Sequence, residues 1–216
     1  VLRATYSAAQ STASYSPGAA QAGQRALKLS ALSFLVRGAT GGAELAARQY
    51  REAANMTDRF GALAVAVASW TPEAEALLAD FRKRYAGDPL VFDKWLGLSA
   101  SPAQGETIER VRAILAEPDF PKNNPNRLRA LLGNFTANPT QFARADGAGF
   151  RFVTEFVADV DKRNPQVAAR VLTGFRTFRN YEPKRRAEAE SALKALRESG
   201  ALSRNTADIL GRTLDG

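Results

Sequence analysis

The phrase "RNPQVAAR", residues 163–170, sets Gln166 and Arg170 four positions apart just after an Asn-Pro pair. With Asn164 as a helix cap and Pro165 as the first helical residue, the amide and the guanidinium stand one turn apart on one face. The chemistry they offer is hydrogen bonding and charge pairing. They border the apolar stripe of Val167 and Val171 instead of opposing it, which suits a half-buried wall. An arginine in that position also reads as an ordinary snorkelling side chain, its stem on apolar surface and its head in water. Bond-making chemistry is narrower still. The chain has no His and no Cys. A His-ligated zinc site, a Ser-His or Cys-His nucleophile and an imidazole acid/base are therefore excluded from it. Carboxylate or lysine chemistry survives that test, but no paired-carboxylate phrase, P-loop or Gly-rich dinucleotide fingerprint is present.

The elements that would carry these side chains are marked by proline. Ser16-Pro17, Thr71-Pro72, Asp88-Pro89, Ser101-Pro102, Asn124-Pro125 and Asn164-Pro165 each read as a cap followed by a first helical residue; proline loses nothing there because that N–H has no intrahelical partner. Asn138-Pro139 and Glu182-Pro183 are weaker members of the set. Between these starts apolar residues recur with a helical period. One stripe is Phe60, Leu63, Ala64, Val67 and Trp70, and the next Leu77, Leu78, Phe81 and Tyr85. Ile108, Val111, Ile114 and Leu115 make a third, and Leu128, Leu131, Leu132 and Phe135 a fourth. Val153, Phe156, Val157 and Val160 precede Val167, Val171, Phe175 and Phe178. No run alternates with period two between hairpin turns. The expectation is an all-α fold of about ten helices, joined by short loops such as "RADGAGF" and "SPAQGE" in which glycine supplies the turn. Short loops between amphipathic helices favour stacked antiparallel hairpins, and the lack of a strict period points to an irregular stack. The Ala/Ser-rich stretch Ser7–Ser14 reads as a loop or frayed edge. Asn55, Thr57 and Asp58 read as capping chemistry, Trp70 and Trp95 as packing residues, and "EPKRRAEAESALKALRESG" as an amphipathic helix with a basic first turn.

At 216 residues, with 45% hydrophobic and 24% charged residues, the chain has the composition of an ordinary globular protein able to bury a core. No stretch approaches the roughly 20 apolar residues of a membrane span, and "VLRATYSAAQ" has no apolar signal core. The first residue is not Met, which reads as a piece of something longer. Absence of Cys suits a reducing compartment such as the cytoplasm. The net charge of +8 is uneven: residues 1–120 hold 13 Lys/Arg against 12 Asp/Glu, and residues 121–216 hold 17 against 10. A basic second half leaves two function classes open: a wall that attracts acidic groups of a peptide, or a helical-repeat module that contacts nucleic acid or an acidic protein. The aromatic residues fall on core stripes and not on an exposed basic one, which disfavours nucleic acid.

Several phrases, "AANMTDRFGALAV", "FDKW", "NPNRLRALLGNF", "ADGAGFRFV" and "RNPQVAARV", stand in this order and at these spacings in the C-terminal helical domain of the bacterial aminopeptidase N family, the zinc-dependent aminopeptidases. The chain resembles that domain from about Tyr15 to its end. It departs at Phe150, where the family commonly has Tyr, and at Ala143 and Arg144, near where the family has a His. Hydrogen bonds made by those groups are not carried over.

The resemblance implies a non-catalytic part of a peptidase. The expected fold is an irregular superhelical stack of helix hairpins, a HEAT/armadillo-like α-solenoid, with 1–15 as a loop or frayed edge and 16–216 as a single α-helical cap domain. Its partner would be an upstream thermolysin-like catalytic domain of the same chain, which holds the zinc; its ligands would be peptide substrates, with no membrane and no metal of its own. The domain would close over the active-site cavity and restrict peptide access. The resemblance places Gln166 at the pocket for the substrate's first side chain and Arg170 farther along the cavity wall, and Arg129 of "NPNRLR" resembles a second cavity arginine. Gly133, one turn after Arg129, is expected to admit a close neighbour.

Overall fold

The computed structural model describes residues 1–11, 13–104, 106–200 and 202–216. Among the described residues there is helix and no strand. Fourteen α-helical segments are present among them, three of four residues or fewer, so the longer ones match the expected number closely. None is long and apolar enough to cross a membrane. Residues divide into two compact units, Val1–Asp88 and Pro89–Gly216.

The first unit comprises α1 (Leu2–Ala8), α2 (Ala19–Gly38), α3 (Gly42–Glu52), α4 (Met56–Ser69) and α5 (Ala74–Arg84). Helix α2 packs on α1, α3 and α4, and α4 packs on α5. Leu32, Tyr50, Leu63, Val67 and Phe81 fill the centre and are fully or almost fully buried. Two readings of the sequence change here. Leu2–Ala8 is a helix and not a loop: Tyr6 is buried and its hydroxyl donates to Gln49 Oε1 at 2.9 Å, an anchor that the small residues around it conceal. Thr12, within the stretch taken for a frayed edge, lies outside the described residues. Asn55 caps α4 as expected, accepting from the Asp58 N–H at 2.9 Å. Asp58, however, also faces Lys28 of α2, with Oδ1 2.8 Å from Nζ and both residues buried.

The second unit comprises α6 (Pro89–Ser99), α7 (Thr107–Ala116), α8 (Pro125–Leu128), a π-helical turn over Arg129–Gly133, α9 (Asn134–Thr136), α10 (Pro139–Phe142), α11 (Ala148–Asp161), α12 (Pro165–Leu172), α13 (Pro183–Glu198) and α14 (Arg204–Asp215), with 3-10 turns over Thr173–Phe175 and Phe178–Asn180. Helix α11 packs on α12 and α13, and α12 on α14. Phe135, Phe142, Phe150 and Phe175 are fully buried. Phe142 meets Phe150 at 5.0 Å and Phe175 at 4.9 Å between ring centroids, both edge-on, the arrangement the ring quadrupole favours. Phe150 is thus enclosed by rings and needs no hydroxyl. Arg144 pairs with Asp146 at 2.7 Å, and "FDKW" is tied to α8 by an ion pair between Asp93 and Arg127.

The eight prolines read as helix starts divide into two groups. Pro89, Pro125, Pro139, Pro165 and Pro183 are first residues of helices. Asn124, Asn164 and Glu182 accept backbone N–H groups as caps, and Glu182 puts a negative charge against the basic first turn of α13. After Ser16-Pro17, Thr71-Pro72 and Ser101-Pro102 the helices begin later, at Ala19, Ala74 and Thr107. Thr71 is occupied in ending the previous helix: Trp70 adopts a left-handed conformation (φ 46°) and the Thr71 N–H bonds back to the Ala66 carbonyl at 3.0 Å. Pro102 serves as an anchor, its carbonyl accepting from Asn138 Nδ2 at 2.8 Å and from the Thr107 hydroxyl at 2.9 Å. Gly105 of "SPAQGE", read as a turn glycine, lies outside the described residues.

Candidate functional site

Helix α12 starts where its cap dictates. Asn164 Oδ1 accepts the Val167 N–H at 3.2 Å, Pro165 occupies the first helical position, and Val167, Ala168, Val171 and Leu172 are buried. This phase leaves Gln166 and Arg170 together on the flank. Both are exposed in this chain, not half-buried as their position beside the core stripe suggested. The reason is local: the buried face of α12 takes only those four residues, and the flank opens onto a cavity.

The opposite wall comes from a distant stretch. Asn124 caps α8 by accepting from the N–H groups of Asn126 and Arg127, and the chain then widens into the π-helical turn that begins at Arg129. Arg129 Nη2 donates to Asn126 Oδ1 at 3.0 Å, which holds the guanidinium over the start of α8. Pro125, Asn126 and Arg129 on one side, and Asn164, Gln166, Val167, Arg170 and Val171 on the other, line a cavity of about 220 Å³. The structure therefore brings Gln166, Arg170 and Arg129 to one place. The expected close neighbour of Gly133 is not there: a Cβ on that exposed glycine would meet only Arg129 Cγ, at an ordinary 3.7 Å.

The arrangement has an apolar floor, Val167 and Val171, and two guanidinium groups with an amide at its rim. Neither Gln166 nor Arg170 has a side-chain hydrogen bond or ion pair among the described residues, so their donors remain available to a ligand. Arginine supplies a planar fork matched to carboxylates and carbonyl oxygens. The cavity lining contains no carboxylate and no nucleophile, so it can bind and orient but has no group to carry a proton or an acyl intermediate. Elsewhere among the described residues no three acidic side chains gather as a metal site would need. Reasoning from sequence missed Asn126, which positions Arg129; the signal was the second Asn of "NPN", two residues after the cap.

Among the described residues the fold is all-helical, and the polar-rimmed cavity lacks bond-making groups in its lining; the class this defines is an α-helical repeat domain. The chain belongs to the family described as a domain of unknown function (DUF3458_C) with ARM repeats, whose model matches residues 1–215, and it is a C-terminal domain of the aminopeptidase N type. It is 38% identical over 176 residues to aminopeptidase N of Escherichia coli, covering 81% of this chain and 20% of that protein. With aminopeptidase N of Caulobacter vibrioides it shares 34% identity over 218 residues, 99% of this chain and 25% of the relative. Its fold matches that of Legionella pneumophila aminopeptidase A in a crystal structure with aspartic acid, with a TM-score of 0.90 at 28% identity, over 99% of this chain and 26% of the other. The chain thus spans a fifth to a quarter of the length of these relatives.

Proposed function

We propose that this domain forms part of the wall of a peptide-binding cavity in a zinc-dependent aminopeptidase of the cytoplasm, limiting peptide access to an upstream thermolysin-like catalytic domain. The observation that carries the reading is the meeting of Arg129, Gln166 and Arg170 around one cavity, from two capped helix starts far apart in sequence. Gln166 would face the substrate's first side chain, and Arg170 and Arg129 the carbonyls or carboxylates beyond it. Zinc, in this reading, belongs outside these residues: the chain has neither His nor Cys, and no acidic cluster among its described residues fits the ion. The buried state of Phe135, Phe142, Phe150 and Phe175 supports this over nucleic-acid binding, which uses exposed aromatic faces.

The test is made in the complete enzyme. Arg170→Ala should lower kcat/KM for peptides by about 10- to 150-fold, the worth of a lost charge-assisted hydrogen bond, and much less for a one-residue chromogenic amide. Gln166→Ala should reorder preference among N-terminal residues by up to about tenfold. Wild-type kcat/KM for both folded variants on every substrate would reduce the cavity to a feature of packing.

A further inference from the structure

We infer that the outer face of α2 is the seat of one further helix, formed by the residues that directly precede Val1 in the full-length chain. As a C-terminal domain spanning 20% of one relative and 26% of another, it has most of such a chain ahead of it. All of the residues involved belong to the first unit, so this seat and the cavity of α12 stand or fall separately.

Helix α2 has two unlike flanks. On one, Leu29 fits against Gly61 of α4, where a Cβ on the glycine would lie 2.4 Å from Leu29 Cδ1. With about 100° of turn per residue, Leu27 and Phe34 point roughly 140–160° away from Leu29. They are large, apolar and open, 53% and 59% exposed. Ala20, Gly23 and Ser30 share their strip and are exposed as well, and a Cβ on Gly23 would meet nothing. Ala20, Gly23, Leu27, Ser30 and Phe34 are spaced by three and four residues in turn. That is the period of a seam between two helices, in which large side chains of one enter gaps in the other. No charged residue interrupts the strip. A solvated helix face carries charge instead, as α13 does with Lys184, Lys194, Arg197 and Glu198.

The stacking of the unit identifies the missing helix. Helices two apart in the chain are neighbours: α2 packs on α4, and α1 reaches α3 through the Tyr6 hydroxyl and Gln49. Helix α1 is antiparallel to α2. Arg3, near its start, donates to the Thr40 carbonyl just past the end of α2, while Ala9 and Gln10, past its end, line a cavity with Gln24 and Arg25 from the first half of α2. Taken one helix further back, the same order puts the helix before α1 beside α2, on the flank opposite α4. That is the flank of Leu27 and Phe34. The added helix runs parallel to α2, its last turns level with Phe34 and its earlier ones with Leu27. Its large side chains fill the gaps at Gly23 and Ser30 as Leu29 fills the one at Gly61.

The test uses the full-length protein with photoreactive benzoylphenylalanine in place of Phe34 or of Leu27, irradiated and mapped by mass spectrometry. Both probes should crosslink within about 30 positions before Val1, one helix plus a short loop. The Phe34 probe should land nearer to Val1 than the Leu27 probe, by about seven residues, because the two helices are parallel. Mixing unlabelled and isotope-labelled protein separates crosslinks within a chain from those between copies. Leu27→Cys and Ser30→Cys, which disturb the seam less, should react with a maleimide at least about a hundredfold more slowly in the folded protein than in urea. Crosslinks between copies would overturn the assignment and give this face to a second molecule. Crosslinks elsewhere in the chain, the reverse order of the two probes, no crosslink at all, or cysteines as reactive folded as unfolded would each overturn it too.

Discussion

The Thr206 hydroxyl donates to Asp161 Oδ1 at 2.5 Å and so fastens the first turn of α14 to the last residue of α11. Asp161 also takes the Ser203 hydroxyl and the Ser203 N–H, each at 2.6 Å, and is 4% exposed. Burial alone would raise its pKa. The hydrogen bonds from Ser203 and Thr206 outweigh burial and hold the carboxyl below its ordinary value. A depressed folded value means a contribution that is full above the unfolded pKa of about 3.9 and lost as pH falls through the folded one. Urea unfolding of the wild type should weaken on that acid side, and Asp161→Asn should lack this component of the pH dependence. Asp161→Ala, which strands these donors, should cost about 3 kcal/mol at neutral pH.

The cap of α12 gives a second expectation. Asn164→Ala removes the acceptor for the Val167 N–H and should lower stability by about 1 kcal/mol. Because the same residue lines the cavity and sets the helix phase of Gln166 and Arg170, amide exchange at Val167 and Ala168 should accelerate more than in α11. Equal protection in the variant and the wild type would show that the cap does not hold this end.

Two glycines should respond with opposite sign. Gly149 lies where α11 crosses α10; a Cβ there would fall 2.1 Å from the Gln141 carbonyl oxygen and 2.4 Å from that of Phe142. Backbone cannot rotate away, so Gly149→Ala should cost about 3 kcal/mol. Gly133→Ala meets nothing closer than 3.7 Å and should be neutral or stabilising by up to about 1 kcal/mol. Thermal melts of the two variants check both.

The Lys28–Asp58 pair supports a double-mutant cycle. Lys28→Met leaves a buried carboxylate without its cation and should cost about 3–5 kcal/mol. Adding Asp58→Asn removes the stranded charge and should restore about 2 kcal/mol of that loss. A double variant whose loss equals the sum of the losses of Lys28→Met and of Asp58→Asn alone would mean that the pair contributes no coupling.

What was legible in the sequence was what local chemistry decides. Asn124-Pro125 and Asn164-Pro165 begin helices because cap and first turn involve only neighbours along the chain, and the stripes of α4, α5 and α11 follow from the helical period. Thr71-Pro72 misled because an equally local event, the left-handed end of α4 at Trp70, claimed Thr71 first. Leu2–Ala8 was missed because its anchor, Gln49, is on another helix.

The sequence by itself determined that this is an all-α chain without imidazole or thiol chemistry, and that Gln166 and Arg170 share a face. Tertiary structure alone decided that Arg129, set on a π-helical turn and steadied by Asn126, stands across a cavity from them. It also decided that Lys28 is buried against Asp58, and that Gly149 is there for a backbone crossing as Gly147, at φ 70°, is there for the turn. Periodicity and caps fix the rotation of each helix about its own axis. Which helices meet, and how closely, depends on side chains from distant segments packing together, and no single segment carries that information.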